Sequence, residues 1–507
     1  MAVHRLLLLV AALVLLPAFA GAADERVGPS TGSADGPTIH RGLGPSPDTL
    51  DVHRAQGLSA FNLLRDLHEG LLTRDAHGRP IPGIAEAWTV SDDGRTWRFE
   101  LDPAARWSDG APIVAADFVR GFDRARNPET ASPTVGWLAP IASIAAPDPG
   151  TVVLELVRPV PWLEELLTLP VAFPHPPDGR PVSSGAFRLV EQVPGSVFRL
   201  ERNPHFRQLA TVAPAAVTWH VTEDPSAELA RFRAGELHAT ETVPPGRIDW
   251  LREQLGEALR ISPYLGSFYL VFNLRQPKFA EPAVREALSL AIDRELLTER
   301  VLGAGELPAA RLVPPGLDGW PVESLERDIE ADIERARALL RRAGFPGGRG
   351  LDVELRFNSS LAHRRMAVAV AAMWKQHLGV RTRLVNEEWK VFVTNRRHGR
   401  ITEIVRGGWI ADWADPANFL DNFHSASPLN YAFLADAELD RRLDAARDQR
   451  GAARLQTLVA AEQRLLDRHA IIPLYYYVSR HLVDPRLVGW EDNAMDIHLS
   501  RWLDLED

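Results

Sequence analysis

The stretch EGLLTRDAHGRPIPGIAEAWTVSDDGRTWRFELDPAARWSDGAPIVAADFV, Glu69 to Val119, sets the reading of the whole chain. TWRFEL (96–101) alternates apolar and polar side chains with a period of two, as a half-buried strand does. Asp109-Gly110 is a turn dipeptide, and the apolar spacing after it predicts a helix entered near Ala115. TVVLEL (151–156) reads as a further strand of the same kind.

Working outward, Leu58 to Leu72 reads as an amphipathic helix with Leu64 and Leu67 on its apolar face. FRLVEQV, VFRLE and VTWHV are strands, followed by a helix over Ser226–Ala234. PYLGSFYLVFN reads as a long apolar strand ending at Asn273. VREALSLAIDRELL and DIERARALLRRAG are helical, and LDVELRF, VRTRLVN and ITEIVRGGWI read as three more strands with helices between them. Helices dominate from Ala435 to His469, before the strand IIPLYYYVSRHLV. Strands and helices mixed along the entire length predict an α/β fold.

The chain has 507 residues, too many for one core, so two or three domains are expected. Its formal charge of −10 argues against a nucleic-acid partner, which calls for a basic surface. At the N-terminus, Arg5, the apolar run LLLLVAALVLL and the small-residue sequence AFAGA read as a secretory signal peptide over residues 1–22. No cysteine is present, which excludes disulfides, thiolate metal sites and a lipid-anchoring cysteine. An exported, soluble protein is the expectation.

RGGWIADWADP (406–416) is the most informative run for chemistry. If extended, the six residues from Arg406 to Asp412 span roughly 20 Å at about 3.3 Å each. That is similar to the distance between the ammonium and carboxylate of a short extended peptide. Guanidinium grips carboxylate through two parallel hydrogen bonds, and a carboxylate matches an ammonium. Gly407 and Gly408 would let a second backbone approach closely. A strand end with a solvated arginine is the alternative. Asp412 with Asp415 as a glycosidase acid/base pair is disfavoured, since two carboxyls on one short loop rarely face each other across a substrate. His363, near the start of an apolar helix, could meet an anion together with Arg364. Trp389 and the YYYV run (475–478) could line a pocket or fill a core. HExxH, GxSxG and GxxxxGK[ST] signatures are absent, so neither a metal site nor a catalytic residue is predicted from motifs.

The 69–119 stretch, with NPHFRQ (203–208), RFRAGELHAT (231–240), VREALSLAIDRE (284–295) and ARALLRRAGF (336–345) in the same order, resembles the family 5 extracellular solute-binding proteins. These are peptide and nickel receptors of bacterial ABC importers. NEEWKVF, RGGWIADWADPANFL and IIPLYYYV resemble the oligopeptide-binding branch most. The resemblance implies a type II-like, two-lobed periplasmic binding fold of three domains with mixed sheets. Lobe one would comprise 23–52, 183–263 and 480–507, with a domain inserted at 53–182, and lobe two 264–479. Chain crossings near Tyr264 and Ser479 would form the hinge.

The resemblance also implies that Asp412 binds a peptide's α-ammonium, that Arg406 and His363 meet its carboxylate, and that Trp389, Trp409, Tyr269 and Tyr477 surround it. Gly408, Ile410 and Gly57 would make backbone contacts. A monomeric receptor with no cofactor follows, delivering its ligand to membrane permease subunits. A murein peptide or an opine is an alternative ligand, and a secreted hydrolase an alternative class. The chain departs from relatives at Thr134 (a Tyr in some), Gln56 (a Glu) and Leu302 (a Lys), which bears on peptide length and side-chain preference.

Overall fold

The computed structural model describes residues 36–322 and 327–506. The predicted signal peptide lies outside them. β1 (Thr38–Gly44) is followed by a short hairpin, β2 (Leu72–Arg74) and β3 (Pro80–Pro82). β4 (Ala85–Val90), β5 (Thr96–Leu101), β6 (Ile141–Asp148) and β7 (Thr151–Leu156) form an antiparallel sheet in the order β4-β5-β7-β6. The alternation of TWRFEL places Trp97, Phe99 and Leu101 inward against the helix Ala115–Arg126, as the sequence predicts. The turn before that helix needs Gly110, whose φ is +90°.

β8 (Phe187–Val193), β9 (Val197–Arg202) and β10 (Ala216–Val221) join β1 in a second four-stranded sheet, ordered β1-β10-β9-β8. The third sheet is mixed and six-stranded. It contains β11 (Leu259–Phe272), β12 (Leu307–Pro308), β13 (Asp352–Asn358), β14 (Arg381–Glu387), β15 (Ile404–Ile410) and β16 (Ile471–Leu482), ordered β12-β16-β11-β15-β13-β14. β17 (Leu487–Val488) and β18 (Asp504–Leu505) close the chain as a small ribbon.

The strand period divides the large sheet into two buried faces. Phe268, Leu270 and Phe272 of β11 pack with the helices Pro282–Leu290, Ile329–Arg342 and Leu361–Met373. Tyr269 and Val271 pack with Ala437–Arg447 and Gly451–Asp467 on the other side. A fully sandwiched sheet explains why PYLGSFYLVFN is apolar throughout rather than alternating.

Two expectations are corrected. The helix begun at Leu58 stops at Leu67, not Leu72, because His68 is extended. Gly70 is then pressed so closely against the Leu167 carbonyl that a Cβ would lie 2.6 Å from it. VREALSLAIDRELL is not one helix either. It ends at Leu290 and restarts at Arg294, where Asp293 accepts a capping bond from Leu296 N–H (2.9 Å).

β11 and β16 run side by side from Leu259↔Leu482 to Val271↔Ile471, with the register broken between Pro263 and Ser267. Within the break, Leu265 donates to Ala494 O (2.7 Å) and accepts from Ala411 N–H (2.8 Å). The C-terminal segment and the loop after β15 therefore meet at the interruption.

Candidate functional site

β15 pairs with β11 along its whole length, from Ile404↔Phe272 to Ile410↔Gly266. On its other side it meets β13 only at Ile404 and Val405. From Arg406 to Ile410 one edge of the strand therefore has no neighbouring strand. Unpaired N–H and C=O groups of this kind are a template for another chain.

A cation stands at one end of the open edge. Arg406 is 7% exposed, and its Nε donates to Asn358 Oδ1 (2.7 Å). Its guanidinium lies 5.9, 5.2 and 5.5 Å from the rings of Phe268, Phe392 and Trp389. No carboxylate pairs with it among the described residues. Burial draws its pKa below the usual arginine value. His363 packs on the same Phe268 ring, with centroids 5.3 Å apart. Burial, then the Arg406 charge, lowers its pKa to about 4, so at neutral pH it is an uncharged donor and acceptor.

At the other end lies an anion. Trp409 Nε1 donates to Asn418 Oδ1 (2.7 Å), and Asp412 N–H leans on the same oxygen at 3.4 Å. The Asp412 carboxylate itself has no hydrogen bond or ion pair among the described residues. Desolvation without compensation raises its pKa to about 6. Asp415, three residues on, is committed elsewhere: Arg454 grips both its oxygens at 2.7 and 2.8 Å. It is thereby removed from any acid/base pair with Asp412.

The two glycines serve different purposes. A Cβ on Gly407 would lie 2.4 Å from the Tyr269 ring, whereas one on Gly408 would sit 3.0 Å from Tyr477 Oη and 3.4 Å from Arg406 Nη1. Tyr269, Gly407, Gly408 and Trp409 line a cavity of about 30 Å³ with Arg396 and Tyr431. Trp389 and Ile410 are exposed, at 49% and 45%. Gly57 precedes the helix Leu58–Leu67, with φ +85° and open space where a Cβ would be. Leu302 is buried in the core around Phe268.

Sequence reasoning missed Asn358, Asn418, Arg396 and Trp162. Asn418 follows the informative run in ANFL, and a polar residue in so apolar a setting was the available signal. Trp162 had none: it stacks on Trp413 across 251 positions of sequence, at 6.0 Å and 6°. A roomier cavity, about 760 Å³, lies between Pro161–Glu165 and the residues Ala414, Asp415, Arg450 and Arg454. None of the predicted contact residues lines it, and its Arg454 is already neutralised by Asp415.

Residues 79–431 match the model of the bacterial extracellular solute-binding proteins, family 5. The chain belongs to that family. Relatives in the family include the periplasmic oligopeptide-binding protein OppA of Salmonella typhimurium, 33% identical over 90% of both chains. The periplasmic murein peptide-binding protein MppA of Escherichia coli is 32% identical, over 91% of this chain and 92% of its own. In three dimensions this family member resembles the unliganded open form of MppA with a TM-score of 0.85, at 31% identity over 93% of this chain and 98% of that one. Haemophilus influenzae OppA in complex with RPPGFSPFR gives 0.73, at 28% identity over 94% and 100%. No helix among the described residues is long and apolar enough to cross a membrane.

Proposed function

We propose that this family member captures short peptides in the periplasm and hands them to the permease subunits of an ABC importer. The observation that carries the reading is the open edge of β15 between an unpaired buried arginine and an unpaired carboxylate. A peptide added along that edge would gain main-chain hydrogen bonds that every sequence offers. Its ammonium would meet Asp412, and its carboxylate Arg406 with neutral His363. Trp389, Trp409, Tyr269 and Tyr477 would bound the side-chain space, and Gly408 and Ile410 would supply backbone. Relatives named for oligopeptide and murein peptide binding support the same ligand class.

The molecule acts as a monomeric receptor and not as an enzyme, with residues 1–22 as its export signal. Over the described residues, lobe one is drawn from 23–52, 183–263 and 480–507 with 53–182 inserted, and lobe two from 264–479. The separation of the three larger sheets among the described residues supports that division. Binding closes the lobes about the β11 and β16 crossings, bringing Gly57 to the ligand.

Isothermal calorimetry with a tripeptide and its N-acetylated form tests the reading. Acetylation removes one partner of a buried charge pair, an effect of about 3–5 kcal/mol. A loss of two to three orders of magnitude in affinity is expected. Equal affinity for the two forms would overturn the assignment of Asp412.

A further inference from the structure

Beneath the break in β11–β16 pairing lies a cluster that the peptide reading does not use. His481, near the end of β16, and His498, in the C-terminal segment, both direct Nε2 at Asp496 Oδ1, at 2.8 and 3.1 Å. His481 Nδ1 lies 2.9 Å from Thr240 O, a carbonyl that only accepts, so the ring hydrogen sits on Nδ1. A neutral His481 would then aim a lone pair at an anionic oxygen. A cation between them, either a proton or a metal ion, relieves that repulsion.

Four features fit a metal. The three donor atoms lie within 4.8 Å of one another. The bond from Nδ1 to a backbone carbonyl is the usual outer-sphere support of a metal-bound imidazole. Trp490 fixes both rings, stacked on His498 (3.9 Å, 16°) and edge-on to His481 (5.2 Å, 63°). Finally, the three residues line a cavity of about 10 Å³ with Glu241. The Glu241 carboxylate makes no ion pair among the described residues. Arg41 also lines the cavity, but its Nη1 is engaged by His498 O (2.6 Å) and Ser500 Oγ (2.8 Å).

We propose that His481, Asp496 and His498 bind a divalent transition-metal cation of the zinc class. Two imidazoles and one carboxylate are a donor set suited to zinc, with the fourth tetrahedral position left to a solvent molecule. The ligands come from β16 and from the C-terminal segment, so the ion would fasten that segment to one of the crossing strands.

The test uses metal-stripped, full-length mature protein titrated with Zn²⁺ by calorimetry and with Co²⁺ by visible absorption. One equivalent of Zn²⁺ and a tetrahedral Co²⁺ band are expected. His498→Gln and Asp496→Asn should each weaken Zn²⁺ binding at least about 100-fold. His40→Gln, in the separate His40–His220 pair (3.0 Å), should leave it unchanged. Peptide binding by the variants confirms that they fold, and the Co²⁺ band of the unaltered protein is read without any substitution. Absence of that band, or Zn²⁺ uptake undiminished in a folded His498→Gln protein, overturns the proposal and leaves a proton as the bridging cation.

Discussion

Trp413 lies flat on Trp162, ring centroids 6.0 Å apart and planes 6° apart, one residue beyond the unpaired Asp412. The stack ties the loop after β15 to the core built on β4–β7, and Ala414 N–H reaches Glu165 Oε2 (3.4 Å) beside it. Such aromatic pairs are worth about 0.5–1.5 kcal/mol beyond the area they bury. Trp162→Ala should therefore weaken peptide affinity several-fold by loosening the Asp412 loop. A double-mutant cycle with Trp413→Ala checks this, with the two effects failing to add.

Asp412 costs the ligand-free protein stability. Its pKa is about 6 in the fold against an ordinary value near 3.8, so the folded state holds the proton more tightly than the unfolded chain. The stability it forfeits is therefore absent below pH 3.8 and complete above pH 6. Asp412→Asn should raise the stability of the free protein at pH 7.5 by about 1–3 kcal/mol while abolishing tight peptide binding. Urea denaturation and calorimetry on one preparation measure both changes, which should have opposite sign.

Peptide affinity should also depend on pH. An ammonium pairs with carboxylate, so below about pH 6 binding must first strip a proton from Asp412. Affinity should fall by up to about tenfold per pH unit between pH 6 and pH 4. In Asp412→Asn this dependence should vanish.

Gly407 and Gly408 should respond differently to alanine. At Gly407 the methyl meets the Tyr269 ring at 2.4 Å in the core, an overpacking that costs about 1–3 kcal/mol of stability. At Gly408 the methyl stands beside Tyr477 Oη and Arg406 Nη1 at the open edge. Gly408→Ala should leave thermal stability nearly unchanged and lower peptide affinity about tenfold or more.

Acid should loosen the region around His53 and His68. His53 is buried and His68 partly so, His53 Nε2 and His68 Nδ1 lack hydrogen-bond partners, and desolvation lowers each pKa to about 4. The unfolded chain takes up protons first, so this stability is complete above pH 6.5 and is lost as pH falls toward 4. The loss should approach 2–3 kcal/mol for each, about 1.36 kcal/mol per pH unit. Replacing His68 with Gln should flatten the pH dependence of the denaturation midpoint.

Much of the architecture was legible before any coordinates. TWRFEL, TVVLEL, LDVELRF and IIPLYYYVSRHLV are strands where their period predicts them, because alternation is a property of a few consecutive residues. The helix after Leu58 and the helix containing VREALSL end sooner than their apolar spacing predicts, at Leu67 and Leu290. Their ends depend on Gly70 meeting Leu167 and on Asp293 capping Leu296, and the first of these is a contact across nearly a hundred residues.

RGGWIADWADP shows where the division falls. By itself the sequence determined that an arginine, two glycines and two aspartates share one strand and its exit loop, since covalent order and local periodicity decide that much. Which aspartate stays free was decided only in three dimensions. Arg454 neutralises Asp415 from 39 residues away, while half-buried Asp412 and buried Arg406 have no countercharge among the described residues. Tertiary structure likewise decided that β13 leaves β15 after Val405 and opens its edge. Charge pairing and strand pairing depend on distance through space, and a sequence records only distance along the chain.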